Sequence, residues 1–194
     1  MLRHGLKRLK LQKIKEEVIR LATPDSISSL KTSEGNTQNS ERLSIGIVKQ
    51  ALDNLGYSYK QAGSQQSKDF QNICKIGINI EVKKSDGFTV YFNDTLPSSN
   101  IDYIIMFTGK EYKTKDNIPP KLIFINGFEL VKDDIYEILS FSKEMEAMKN
   151  KWCRKTAKNT RANKLKNMSM YVRPTYKTTI NHLINDPKYS VSLS

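Results

Sequence analysis

The chain has 194 residues, 38% of them hydrophobic and 27% charged, with a formal net charge of +12. That length suits one domain with a real core, and the balance is that of a globular protein rather than a disordered or fibrous one. No run of about 18 apolar residues exists, which excludes a transmembrane helix. Two cysteines, Cys74 and Cys153, and two histidines are too few and too scattered for a disulfide framework or a zinc cluster.

The charge is unevenly spread. Residues 1–20 carry a net +5 and residues 143–179 a net +9, whereas residues 21–142 carry −2. Two basic flanks bracketing a slightly acidic middle point to a polyanion partner, with nucleic acid the leading candidate. A solvated, lysine-rich surface is the bland alternative. The basic N-terminus lacks a continuous apolar core and a small-residue cleavage site, so no secretory leader is expected. Free thiols in a reducing, cytoplasmic setting follow as the expectation.

In chain order, residues 5–22 read as a basic amphipathic helix built on Leu9, Leu11, Ile14, Val18, Ile19 and Leu21, ended by Pro24. Residues 23–40 read as a polar loop. A second helix follows with Ser40 as its N-cap; Leu43, Ile47, Val48, Ala51, Leu52 and Leu55 share one face, and Gly56 stops it. From Tyr57 the period changes to two. "YSYKQAG", "KDFQNI", "IGINIEVKK" and "FTVYF" read as strands, and the fully apolar "IDYIIMF" as a central one. "KLIFINGFELV" reads as a hairpin turning at Asn126-Gly127. Residues 133–153 return to helical spacing through Ile135, Ile138, Leu139, Met145, Met148 and Trp152. Residues 154–170 are cationic and weakly patterned, and "YVRPTYKTTINHLI" reads as a segment that folds back on the core. Helix, mixed sheet, helix is an α/β or α+β order.

One stretch carries chemistry. In "IGINIEVKK", Ile78, Ile80 and Val82 point one way and Asn79, Glu81 and Lys83 the other. If the apolar face packs on the core, the polar face looks into solvent or a cleft. A hairpin centred near Lys75 would set Asp69 opposite Glu81, with Cβ atoms about 4.5–5.5 Å apart. Two carboxylates that close repel unless a cation lies between them. Mg²⁺ is a hard ion that wants oxygen ligands, and Lys83 would add a second positive charge. The spacing Asp/Glu-x-Lys alone is weak: about 2.5 copies are expected by chance, and three occur. Only Glu81-Val82-Lys83 lies on a β-patterned run, with an acid upstream and a helix before that. The plain alternatives are an edge-strand ion pair for Glu81 and Lys83, a turn residue for Asp69 and a helix-dipole partner for Glu41.

Asp69, eleven intervening residues, then Glu81-Val82-Lys83 resembles the PD-(D/E)xK nuclease superfamily, the fold of most type II restriction endonucleases. The resemblance covers roughly residues 41–126. It implies an α/β restriction-endonuclease-like core, a mixed β-sheet flanked by helices, with basic N- and C-terminal extensions. The domain boundaries that go with it are 1–40 for a basic helix and polar loop, 41–153 for the nuclease core and 154–194 for a DNA-binding extension. "TVYFNDTLPSSNIDYIIMF" is similar to the loop before the next core strand in such enzymes, which brings in Asn93 and Asp94. Lys68 stands where the family usually has proline, and the literal Pro24-Asp25 lies in a polar stretch far upstream.

What the resemblance implies is Mg²⁺-dependent hydrolysis of phosphodiester bonds. Asp69, Glu81 and the Val82 carbonyl would be metal ligands, Lys83 would orient or activate water, and Glu41 would be an auxiliary acid. Double-stranded DNA and a second copy of the chain would be the partners, with no membrane involved. Lys84, Asn93, Asp94, Lys151, Arg154, Lys155, Lys158, Arg161, Lys164, Arg173 and Lys177 are candidate DNA contacts by chemistry alone. The functional expectation is a sequence-specific, type II restriction-like endonuclease. The alternatives are a structure-specific nuclease such as a junction resolvase and a non-catalytic nucleic-acid-binding protein.

Overall fold

The computed structural model describes residues 2–31, 37–61, 68–93, 96–114, 116–152 and 174–193. Its elements are α1 (Leu2–Leu21), α2 (Pro24–Ser28), α3 (Thr37–Asn54), β1 (Lys60–Gln61), β2 (Phe70–Ile73), β3 (Ile78–Ser85), β4 (Thr89–Asn93), β5 (Asp102–Phe107), β6 (Lys121–Asn126), α4 (Gly127–Leu130), α5 (Ile135–Trp152), β7 (Thr175–Thr179), α6 (Asn181–Ile184) and β8 (Ser190–Ser192). The protein is an α/β fold with a mixed six-stranded sheet in the order β1-β2-β3-β5-β6-β8. The pair β3–β5 is parallel and the other pairs are antiparallel. No described helix is long and apolar enough to cross a membrane.

Both sheet faces are covered, which explains the patterning of each strand. One face carries Ile78, Ile80, Val82, Ile104, Met106 and Leu122 and is closed by Ile14, Val18, Ile27, Leu30, Val48, Ala51 and Leu52 from α1, the α2 region and α3. The other carries Tyr103, Ile105, Phe107, Ile123 and Ile125 and is closed by Val90 and Phe92 of β4, Leu130, Ile135 and Ile138, and Ile180, Leu183 and Ile184. β5 is therefore apolar at every position after Asp102, as a strand buried on two sides must be. Residues at both ends of the chain contribute to these cores. Ile14 and Val18 of α1 belong to one, Ile180 to Ile184 to the other, and β8 is an edge strand of the sheet.

Several local expectations change. The stretch after Leu21 is not all loop, because Thr23 caps a short helix that begins at Pro24. Ser26 N–H donates to Thr23 Oγ1 at 3.1 Å, and Thr23 N–H donates to Ser26 Oγ at 2.9 Å. Proline at the first helical position loses no hydrogen bond, so Pro24 starts a helix as readily as it ends one. Ser40 is not an N-cap: α3 begins at Thr37, and Ser40 and Ser44 are buried on its inner face. Leu43 is displaced to the outside, 49% exposed. Gly56 does end the helix, at φ 64°, with its N–H donating to the Asp53 carbonyl and Tyr57 N–H to that of Leu52.

Asn126-Gly127 is not a hairpin turn. Asn126 closes β6 and caps α4, its Oδ1 accepting from Phe128 N–H at 3.0 Å. A Cβ on Gly127 would lie 2.1 Å from the Ser98 carbonyl oxygen, so glycine is required there by close approach. "FTVYF" is a strand, but it stands outside the main sheet and pairs with β7 as a two-stranded ribbon. Of "YSYKQAG" only Lys60–Gln61 is a strand among the described residues.

Candidate active site at the open edge of β3

β2 and β3 form the expected hairpin. Phe70 is opposite Ile80, the last pair of the ladder, and the same register continued one step would set Asp69 opposite Glu81. Nearer the turn Ile73 pairs with Ile78, so one residue is gained within β2. Asn72, at φ 49°, lies within that irregularity and accepts from Gly77 N–H through Oδ1 at 3.0 Å.

Among the described residues β2 pairing stops at Phe70, so β3 has an open edge there from Glu81 onward. The Asp69 side chain fills part of it: Val82 N–H donates to Asp69 Oδ2 at 2.7 Å. The Val82 carbonyl points to the same side as its own N–H, as in any strand, so it too faces this edge. Lys83 Nζ sits 2.6 Å from Glu81 Oε1, with side-chain exposures of 20% and 8%. The polar face of β3 is thus a partly covered recess rather than open surface. Its walls are Phe92, whose ring centroid is 5.2 Å from Lys83 Nζ, and Tyr103, paired with Glu81 in register. Phe92 and Tyr103 meet edge to face at 5.4 Å.

The electrostatics follow from that enclosure. Burial pushes the Asp69 carboxyl above its ordinary value; the Val82 N–H and the Lys83 charge pull it back, and Glu41 pushes it up again. Burial likewise raises Glu81; Lys83 opposes this by charge and hydrogen bond, while Asp69 and Glu41 add to it. Glu41, exposed in the second turn of α3, is therefore within electrostatic reach of the half-buried Asp69 and the buried Glu81. Tyr103 is held firmly as the neutral phenol, by burial first and then by the Glu81 charge, and its oxygen accepts from Ser98 N–H at 3.1 Å.

The structure brings Asp69, Glu81, Val82, Lys83 and Glu41 into one neighbourhood. Among the described residues no group of three or more His, Cys, Asp or Glu side chains is arranged to hold a metal ion. The donors at hand are two carboxylates, each with one oxygen beyond the bonds to Val82 N–H and Lys83, and the Val82 carbonyl. Phe92 and Tyr103 are not legible as site residues in the sequence, because an aromatic in an apolar run reads as core. The β3–β5 register reveals Tyr103 as a wall and the packing of β4 over Lys83 reveals Phe92, and neither is visible in one sequence.

The other expected DNA-contacting residues are dispersed. Lys84 is largely covered, its Nζ 2.7 Å from Asp86 Oδ2. Lys151 is exposed near the end of α5, with Nζ 5.2 Å from the Trp152 ring. Asn93 and Lys177 are exposed on the β4–β7 ribbon, where Lys177 is opposite Tyr91 and Asn93 opposite Thr175. Asp94, Arg154, Lys155, Lys158, Arg161, Lys164 and Arg173 lie outside the described residues, as does Cys153. Cys74 is a free thiol. Set against family models, curated proteins and solved structures, the chain matches none of them.

Proposed function

We propose that the chain is a Mg²⁺-dependent endonuclease of the PD-(D/E)xK kind, acting on double-stranded DNA in the manner of a type II restriction enzyme. The observation that carries this reading is the tie between Asp69 and Val82, which puts an acid from the neighbouring strand beside Glu81 and Lys83. Three carboxylates, those of Glu41, Asp69 and Glu81, share this region with one lysine. Asp69 and Glu81 are covered beside the single ammonium of Lys83, which leaves an unbalanced negative charge that burial makes costly without a cation, and the exposed Glu41 adds a further negative charge within reach.

Asp69, Glu81 and the Val82 carbonyl are the residues that would hold the ion. When bound, a hard divalent cation polarises the phosphate and lowers the pKa of water. The chain's own part is positional. Lys83, held by Glu81 and roofed by Phe92, presents an ammonium to charge that builds on the phosphate in the transition state. Tyr103 and Phe92 keep bulk water from that side, which strengthens each of these interactions.

The β4–β7 ribbon supports the DNA reading. Its inner face, Val90 and Phe92, is buried, and its outer face presents Tyr91, Asn93, Thr175, Lys177 and Thr179 with no acid among them. A two-stranded ribbon fits a B-DNA major groove about 12 Å wide. Lys83 contacts Phe92 on the ribbon's other side, so the ribbon adjoins the proposed reaction centre.

The test is supercoiled plasmid and linear duplex with Mg²⁺, using the wild-type chain, Asp69→Ala and Lys83→Ala. Loss of cutting in both variants is expected; cutting that survives both removes the site assignment. Discrete fragments from linear duplex support site-specific cleavage. Cutting confined to branched DNA moves the reading to junction resolution. Tight DNA binding with no cleavage under any divalent ion makes the chain a binding protein.

A further inference from the structure

Between the first half of α1 and the sheet lies a cavity of about 650 Å³, a volume usual for small-molecule sites. Its floor is Ile80, Ile104 and Phe124, with Asp102 beside them on the same face of the sheet. Its roof is one face of α1, on which Lys7, Arg8, Leu11 and Lys15 recur at helical spacing. That face is inverted for a helix lying on an apolar layer. Leu6 and Leu9 are exposed, whereas Lys7 and Lys15 are half-buried over the cavity. Turning leucines out and lysines in forfeits apolar burial, so the inward cations answer to charge. Among the described residues of the lining, one acid, Asp102, faces the three cations Lys7, Arg8 and Lys15. Asp102 is itself half satisfied. Its Oδ1 accepts from Asn126 Nδ2 at 3.0 Å. Its Oδ2 is buried and accepts no hydrogen bond, and the Lys7 ammonium stands 3.8 Å off, too far to donate one. A buried acceptor left in that state is costly.

We propose that this cavity binds a nucleoside monophosphate. The order of groups along it matches the order within such a ligand. Toward the start of α1, Lys7 and Arg8 take the phosphate. Next comes Asp102, whose Oδ2 accepts from a sugar hydroxyl once Lys7 has turned to the phosphate. Two residues farther along β5, about 7 Å, Ile104 lies opposite Phe124, and with Leu11 they give the base an apolar bed. Lys15 Nζ, 5.2 Å from the Phe124 ring, closes that end. An acyl anion would leave Oδ2 without a donor, and inorganic phosphate would leave the apolar bed unused. A duplex is too large to enter. The site is separate from the one at the edge of β3, because Glu81 and Tyr103 point to the opposite face of the sheet from Ile80 and Ile104. Nothing in this inference depends on the hydrolytic reading.

Isothermal titration calorimetry of the full-length chain with adenosine 5′-monophosphate tests it, in ~0.3 M salt to screen the general attraction of a basic chain for anions. Saturable binding at a single site is expected, with Kd on the order of 10–100 µM. Inorganic phosphate should bind at least about 10-fold more weakly. Arg8→Ala should weaken the nucleotide by about 10-fold and leave the thermal melt unchanged, since Arg8 is exposed. Lys13→Ala, which removes the same charge from an exposed position outside the cavity, should bind as the wild type does. The 2′,3′-dideoxy form of the nucleotide should bind the wild-type chain about 10-fold more weakly, and Asp102→Asn should bind both forms equally. Absence of saturable binding up to ~5 mM nucleotide overturns the proposal. So does inorganic phosphate binding as tightly as the nucleotide, or Arg8→Ala behaving like Lys13→Ala. Displacement of the nucleotide by duplex DNA also overturns it and assigns these cations to the DNA surface.

Discussion

The backbone N–H of Val82 donates to Oδ2 of Asp69 across 2.7 Å, so an acid from the end of one strand is tied to the strand that bears Glu81 and Lys83. The bond offsets only part of what burial does to that carboxyl. Its value, ordinarily 3.8, is raised in the folded chain. A carboxyl raised by folding contributes stability that is complete below its ordinary value and is lost as the pH climbs through the raised one. At neutral pH both Asp69 and Glu81 therefore work against the fold.

Asp69→Asn keeps an acceptor for Val82 N–H and removes the charge. It should raise the unfolding free energy at pH ~7 by on the order of 1 kcal/mol, and the gain should shrink as the pH is lowered toward ~4. Thermal melts of both chains at several pH values check this. Adding Mg²⁺ should raise the melting temperature of the wild-type chain and leave that of Asp69→Asn little changed. An Asp69→Asn chain less stable than wild type at neutral pH would mean the carboxylate is structurally favourable.

Lys83 has two separable jobs. As the partner of Glu81 at 2.6 Å it neutralises a side chain only 8% exposed. Lys83→Ala should cost about 1–3 kcal/mol in urea unfolding because it strands that carboxylate. Lys83→Met combined with Glu81→Gln should recover most of the loss, since removing both partners of a covered pair is close to neutral. Neither variant should cleave DNA, with a deficit of roughly 100-fold or more under saturating Mg²⁺. Recovery of stability without recovery of cleavage separates the structural pairing from the chemistry.

The parts of the fold legible in the sequence are those where one period acts alone. Ile78, Ile80 and Val82 alternate because one side of β3 faces the α1–α3 layer, and β5 is uniformly apolar because it is covered on both faces. The hairpin itself is legible, but Asp69 comes beside Glu81 only through the extra residue within β2, because the Ile73–Ile78 pairing continued without it would set Asp69 opposite Val82. What misleads is chemistry shared by two local structures. Asn-Gly suits a type I′ turn, but asparagine also caps helices and glycine also admits a close backbone, and Ser98 decides between them. Pro24 suits the end of one helix or the start of the next. Ser40 and Ser44 read as polar, yet both are buried on α3, whose inner face tolerates small hydroxyls; Ser44 Oγ donates to the Glu41 carbonyl at 2.8 Å. The β4–β7 ribbon joins strands more than eighty residues apart in sequence, so no local pattern announces it.

The Asn126-Gly127 assignment has its own check. Asn126→Ala should cost about 1 kcal/mol, the usual loss for an N-cap, and Asn126→Asp, although it keeps the cap, should cost at least as much, because Nδ2, which donates to Asp102 Oδ1 at 3.0 Å, becomes a carboxylate oxygen facing that acid. Gly127→Ala should cost more, about 1–3 kcal/mol, because the methyl group would meet the Ser98 carbonyl and the Tyr103 ring. A hairpin turn would give a different order: at a type I′ position Asn126→Gly would be harmless, whereas here it forfeits the bond to Phe128 N–H. Denaturant midpoints of these four variants read the difference.

The ribbon's outer face makes the last prediction. Lys177 is exposed and directly opposite Tyr91, which is 56% exposed, while their neighbours Val90 and Phe92 are buried beneath. Exchanging either outer residue should leave the fold intact, since neither contributes to a core. If Lys177 meets a phosphate, Lys177→Ala should weaken DNA binding about equally for all sequences and reduce the slope of log K against log salt by about 0.9. If Tyr91 and Asn93 meet base edges or the groove floor, Tyr91→Ala and Asn93→Ala should leave that slope unchanged. Each should also flatten the preference among sequences by about 1–3 kcal/mol, the discrimination that one good pairing with a base supplies. Titrations of one duplex at several salt concentrations, then of a panel of duplexes at one, separate the two effects. Variants on this face that bind DNA as the wild type does, in slope and in preference, would remove the ribbon from the interface and leave the basic flanks as the remaining candidates.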